Sequence, residues 1–307
     1  MADPVVQRFL EFLDASPSPF HAAKQAARLL EGAGYTAIDE GAEPGELAPG
    51  TRAYVLRGGS IVAFRVGAAP PASAGFRMVA AHTDSPNLRV KPRPLMTSQG
   101  YVRLGLEPYG GVILASWTDR DLGIAGRVVL RDGEDVTDDL VDLRQPLCRI
   151  PNIAVHLNRK VNDEGLKLNA QTDLPAVFAL EREDVADPFR TLLAEEVGCE
   201  PSDLLAWDLG LYDLTPAALA GAHQEFVNSA RLDNLTSCHA GLEALLGAGD
   251  DLPDATAVLG LFDHEEIGSR TGRGAQSALL EAVLRQVLVH ATSTLRATST
   301  ARWPTRG

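Results

Sequence analysis

Cysteine, positive charge and long apolar runs are all scarce in this chain. The three cysteines, Cys148, Cys199 and Cys238, are odd in number, widely spaced and without a Cys-x-x-Cys pair. A disulfide framework or a thiolate zinc site is therefore excluded in favour of isolated buried thiols in a reducing compartment. Twenty-eight basic residues stand against 41 acidic ones, a formal charge of -13 over 307 residues. That field disfavours non-specific binding to nucleic acid or to an anionic membrane surface. The opening Met1-Ala2-Asp3-Pro4 lacks a basic leader segment, and no uninterrupted apolar stretch follows that could span a bilayer. A cytoplasmic location is the expectation, with neither nucleic acid nor membrane as partner.

What is present is a large apolar fraction, 45% of residues, enough for a chain of this size to bury about 75% of its unfolded surface and to divide into two domains. Asp3-Pro4 reads as an N-cap and first helical position, with Val5, Val6, Phe9, Leu10 and Leu13 as the buried stripe. A second helix is expected from about Phe20 to Leu30, then a hairpin of strands near Arg52–Leu56 and Ser60–Arg65 turning on Gly58-Gly59, then an apolar, buried strand ending at His82. From Pro86 to about Gln171 the texture becomes short β-like runs, such as 111–114 and 127–130, broken by Gly turns. A helix over Asp184–Cys199 and a strand over Asp203–Leu211 lead back to α/β patterning: a helix from Leu235 to Leu246, a strand over Ala255–Phe262 and a helix from about Ser277 to Leu288. The expected class is α/β, a mixed sheet flanked by helices. It occupies residues 1–86 and 225–290 and is interrupted by a β-rich insertion over 87–224. Residues 291–307 contain no acidic side chain and read as a low-complexity, disordered tail.

Three separated segments place metal-seeking side chains at the mouths of apolar strands: His82-Thr83-Asp84, Asp233-Asn234 and His264-Glu265-Glu266. Ligands of open α/β sheets gather outside the carboxyl ends of strands. The N/O donor set suits zinc, manganese or cobalt. In an extended segment His82 and Asp84 point the same way, so Asp84 could hold the second ring N–H of His82; a hydrogen-bonded loop is the plainer alternative. Asp233 stands at a helix start, where an N-cap is the ordinary role, but its two oxygens could also bridge two cations. Adjacent Glu265 and Glu266 repel unless a cation lies beside them; one could bind metal while its neighbour acts as general base toward water. The segment is not His-Glu-x-x-His, because Gly268 stands where the second histidine would be, and Gly272-Arg273-Gly274 lacks the remainder of a phosphate or dinucleotide loop.

The strings SPSPFHA, AAHTDSPNLRVKPRP, SWTDRDLGIAGRV, IPNIAVHLNR, DEGLKLNAQ, SARLDN and LFDHEEIGSRTGRGAQS resemble the aspartyl aminopeptidase family of metallopeptidases, in the right order and as far as about Leu288. The resemblance implies a zinc-peptidase α/β domain with an inserted β-rich dimerisation domain, assembling through dimers to dodecamers. It also implies a site for two Zn2+ ions (Mn2+ or Co2+ in their place) that releases N-terminal Asp or Glu from peptides. By position, His82 would bind one metal, Asp233 would bridge both and Glu266 would bind the second. Glu265 would be the general base, Asp84 would support His82, and His156 would reach a neighbouring subunit's site to touch substrate. Family members also carry a Ser-Ala-Asp-Met-Ala-His-Ala-like string with a further Asp ligand, a final His ligand and basic residues for the acidic side chain. These strings do not occur here. An impaired site, from a frameshifted or truncated reading frame, is the corresponding expectation. The alternatives are an inactive assembly subunit or another co-catalytic metallohydrolase such as a deacylase.

Overall fold

The computed structural model describes residues 3–42, 45–249 and 251–298, the last seven by backbone alone. It divides into two compact units. One comprises the residues up to Asp84 together with those from Arg231 onward, and the other is Ser85–Ala230.

In the first unit, helix α1 (Pro4–Asp14) starts where Asp3 and Pro4 dictate, with the Asp3 carboxylate accepting from the Val5 amide. Helix α2 (Pro19–Gly32) repeats the device with Ser18 as N-cap and Pro19 first. Strand β1 (Thr36–Ala37) lies parallel to β2 (Arg52–Arg57), which turns through Gly58-Gly59 into antiparallel β3 (Ser60–Arg65). Gly58 has φ +58°, the left-handed conformation that a two-residue hairpin requires. A single turn of helix, α3 (Pro71–Ala74), leads to β4 (Phe76–His82).

The second unit is a six-stranded antiparallel sheet. Its strands are β5 (Asn87–Ser98), β6 (Tyr101–Tyr109), β7 (Leu122–Asp132), β8 (Asp135–Cys148), β9 (Ala176–Leu180) and β10 (Leu204–Asp213), arranged β8-β7-β10-β5-β6-β9. One turn of helix, α4 (Val161–Glu164), precedes β9. Helix α5 (Pro188–Val197) covers the sheet, placing Phe189 edge-on against Phe178 and Trp207. The core beneath is aliphatic, with Leu88, Leu104, Leu122, Ile124, Ile150 and Leu209 among its members. A separate two-stranded ribbon pairs β11 (Ala218–Ala220) with β12 (Phe226–Asn228).

The chain re-enters the first unit through α6 (Leu232–Leu246), β13 (Thr256–Phe262) and α7 (Leu279–Thr298). Strand β13 inserts between β3 (antiparallel) and β4 (parallel), giving the mixed order β1-β2-β3-β13-β4. Every residue of β3 is buried because helices lie on both faces. Leu279, Val283, Val287 and Ala291 of α7 pack on Val55, Val62, Phe64 and Val258, while α2 and α6 lie against the sheet as well.

Several expectations need correction. The run 111–114 is not a strand; it ends in a 3-10 turn over Leu114–Trp117, and Ile113 is exposed. Strand β4 is not buried through its middle, since Met78 and Val79 are 55% and 50% exposed at the edge of the sheet. Asp233 follows the short ribbon strand β12 rather than a buried strand. Helix α7 continues through 291–298, where disorder was expected; residues 299–307 lie outside those described.

Candidate metal centre

The site is built where parallel neighbours β4 and β13 end side by side. Phe262 pairs with His82, and the Thr83 amide donates to the Phe262 carbonyl at 2.8 Å. Both strands therefore release their next residues, Thr83-Asp84 and Asp263-His264-Glu265-Glu266, at the same sheet edge. Asp84 is fully buried and turns inward. Its two carboxylate oxygens accept the backbone amides of Glu265 and Glu266, each at 3.1 Å. That grip fixes a 3-10 turn over Glu265–Ile267, flanked by His264 and Gly268 in the left-handed conformation.

His82 stands on the other side of Asp84. Its Nδ1 lies 3.0 Å from the Asp84 carbonyl oxygen and 3.4 Å from Oδ1, so Nδ1 donates to Asp84 and Nε2 faces outward. Toward Nε2 come the Asp233 carboxylate at 3.2 Å and the Glu265 carboxylate at 3.8 Å. Burial opposes charge on this ring, but hydrogen bonds to Asp84 and the charges of Asp84 and Glu265 outweigh it and push the His82 pKa up to about 9. Such a ring holds a proton at neutral pH unless a cation displaces it, as deprotonated ligands require.

Asp233 does not cap α6. It has non-helical φ/ψ of -88° and 109°, Arg231 two residues before it is left-handed, and its side chain is 85% exposed. The Cys238 thiol, one turn into α6, donates to the His82 carbonyl at 3.0 Å. Burial raises the pKa of that thiol to about 12, so it remains protonated and takes no part as a thiolate.

The structure thus brings His82, Asp84, Asp233 and Glu265 into one cluster and sets the Glu266 backbone beside them. His156 belongs to the second unit, in an exposed turn over 155–157 flanked by exposed Ile153 and Leu157. The donor chemistry suits zinc: an imidazole backed by a carboxylate on one nitrogen and faced by carboxylates on the other. Among the described residues, however, no group of three or more His, Cys, Asp or Glu side chains closes into a site that could hold a metal ion. Two features escaped the sequence: the double amide grip of Asp84, and a network joining Asp263, His264, Thr271 and Arg273. Neither has a spacing signature, because each depends on a non-glycine residue adopting positive φ.

Residues 12–304 match the model of the aminopeptidase I zinc metalloprotease family, M18. The chain belongs to the M18 family. It is 49% identical over 294 residues to a protein of Ectopseudomonas mendocina named "Probable M18 family aminopeptidase 2", and 48% identical to the protein of that name from Stutzerimonas stutzeri. Each match covers 94% of this chain and 67% of the relative. The fold superposes on a chain in a cryo-EM structure of the Ape4 and Nbr1 complex with TM-score 0.89 at 34% identity. That match covers 94% of this chain and 59% of the other. Chaetomium thermophilum mApe1 matches with TM-score 0.86 at 32% identity, over 94% and 69% of the two chains. The S. cerevesiae mApe1 dodecamer matches with TM-score 0.79 at 27% identity, over 94% and 67%. This chain therefore spans about two thirds of the length of its M18 relatives. Among its described residues no helix is long and apolar enough to cross a membrane.

Proposed function

We propose that this chain carries the catalytic elements of a zinc aminopeptidase that removes acidic residues from peptide N-termini. The observation that carries the reading is the convergence of His82, Asp233 and Glu265 within 4 Å, backed by buried Asp84, in a member of the M18 family.

His82 through Nε2, Asp233 and Glu266 would hold the metal, and Asp233, with two carboxylate oxygens, would serve two ions. When bound, zinc supplies Lewis acidity that polarises the scissile carbonyl and eases ionisation of water. The protein's part is positional and protolytic. Asp84 holds a proton on His82 Nδ1, so that Nε2 is the nitrogen that would give up its proton to a cation. The same carboxylate anchors the Glu265 and Glu266 amides, fixing where their side chains start. Glu265, half exposed at the open side of the cluster, takes the proton of the attacking water and returns it to the departing amine, so one carboxylate acts first as base and then as acid. A free peptide α-amine at the cluster would restrict cleavage to the N-terminal residue.

In an assembly of copies, the β-rich unit would serve as the contact domain, with His156 reaching a neighbour's site. The exposed side chains of Ile153, Val155 and Leu157 around it support that role. The absence of a closed three-donor group among the described residues favours a second reading, in which the chain acts as an assembly subunit with little turnover of its own.

The test is zinc stoichiometry by elemental analysis, run beside hydrolysis of Asp-, Glu- and Leu-p-nitroanilides and N-acetyl-Asp-p-nitroanilide. The first reading expects zinc retention and cleavage of the free acidic substrates only. Zinc-free, inactive protein that nonetheless associates by light scattering would favour the second, and release of acetate from N-acetyl-Asp-p-nitroanilide, leaving Asp-p-nitroanilide, would point to a deacylase.

A further inference from the structure

The loop after β13 is held from behind by a buried charge network. Asp263, on which β13 leaves the sheet, is fully buried. Its Oδ1 accepts the His264 amide at 2.8 Å, and its Oδ2 lies 3.3 Å from Arg273 Nε. The same guanidinium reaches His264 Nε2 through Nη2 at 2.7 Å and lies over the Phe20 ring, 4.8 Å from its centroid. A guanidinium only donates, so His264 Nε2 is the acceptor. The ring proton therefore sits on Nδ1 and is donated to Thr271 Oγ1 at 2.6 Å. Both nitrogens of His264 are thus engaged, and the ring is neither a ligand nor a base. Ser60 Oγ closes the frame, accepting from the Asp263 amide at 2.8 Å and donating to the Arg273 carbonyl at 2.6 Å.

We propose that Arg273 is a positioning residue for Glu265 and Glu266. By clamping Asp263 to His264 it fixes the left-handed residue, φ 65°, from which both carboxylates leave the loop. Asp84 then holds the next two amides from the front. The planar fork of arginine can serve a carboxylate and an imidazole together, which the point charge of lysine cannot. The inference rests on reading Glu265 and Glu266 as site carboxylates, as proposed above.

The test compares the starting chain with Arg273→Lys and with the double variant Asp263→Asn/Arg273→Met, which removes the buried carboxylate and its half-buried partner together and leaves neither charge stranded. Hydrogen exchange of peptides covering 264–269 and of β13 is measured, together with the melting temperature and the zinc affinity of metal-free protein by chelator competition. The double variant is expected to exchange at least about 10-fold faster in 264–269, with β13 and the melting temperature unchanged. Its zinc affinity is expected to fall about 10- to 100-fold, and Arg273→Lys should fall between the two. Unchanged exchange in 264–269 overturns the proposal. So does faster exchange with zinc affinity intact, or a loss of protection spread across β13, since either marks a structural role alone. Should the starting chain bind no zinc, the functional reading fails on its own, and the 264–269 exchange then decides the role of Arg273.

Discussion

A carboxylate that serves several donors has more to lose than one that serves one. Asp84 accepts two backbone amides and backs His82. Asp84→Ala strands both amides in a part-buried loop, for a cost of about 2 kcal/mol, while Asp84→Asn keeps one acceptor oxygen and should cost about half that. Urea unfolding of the three proteins would show the order, and equal stability would deny the grip its energetic weight. His239, on α6, offers a separate pH handle. It is buried between Phe9 and Phe12, with Glu243 and Arg8 as its charged neighbours. Burial, reinforced by Arg8 and opposed by Glu243, lowers its pKa below the ordinary 6.5. The unfolded chain thus takes up a proton near pH 6.5 that the folded chain refuses, so stability falls as pH drops through that value. His239→Gln should flatten the fall of melting temperature between pH 7 and pH 5 relative to the parent. Since every other titrating group is common to both proteins, a parallel pair of curves would sink the assignment.

At the scale of the element, the hairpin β2–β3 supports the loop after β13 through the tightness of its turn. A Cβ on Gly59 would lie 2.6 Å from Asp263 Oδ2 and 3.1 Å from Pro19 Cβ. The Asp263 carboxylate cannot swing aside, because the His264 amide and Arg273 hold it. Gly59→Ala should therefore cost about 1–3 kcal/mol. Gly32→Ala, at the end of α2 with open space around its Cβ, should be neutral or gain a few tenths of about 1 kcal/mol. Denaturant midpoints of the two variants make the comparison. Helix starts such as Asp3-Pro4 and Ser18-Pro19, and the hairpin at Gly58-Gly59, are legible in the sequence because each is a local stereochemical necessity. The meeting of His82 and Glu265 is legible too, since carboxyl ends of adjacent parallel strands share an edge; the arrival of Asp233 is not, because it follows a ribbon strand outside that sheet. The buried clamp on Asp263 is not, because nothing local announces that His264 adopts positive φ or that Arg273 folds back nine residues. Nor is the helical state of 291–298, where Thr and Ser mask the Ala, Leu and Arg that sustain a helix. The apolar run of β4 looks the same whether its strand is central or at an edge.

Taken whole, the molecule sets two opposing forces at its surface. Its formal charge of -13 repels other copies at long range. Against this, among the described residues β4 has a strand partner on one side only, and its edge exposes Met78 and Val79. An apolar edge with unpaired backbone groups is a template for another strand. Repulsion between exposed charges is screened over about 10 Å at 0.1 M salt and about 3 Å at 1 M, whereas edge pairing and apolar contact are short-ranged and survive screening. Self-association through β4 is therefore expected to increase as salt is raised. Met78→Lys places a charge on the edge without entering the core on either face of the sheet. It should keep the chain dispersed at both low and high salt by light scattering, with its melting temperature held. If the parent associates equally at both salt concentrations and Met78→Lys associates with it, the contact lies elsewhere, and the exposed turn around Leu157 becomes the surface to substitute next.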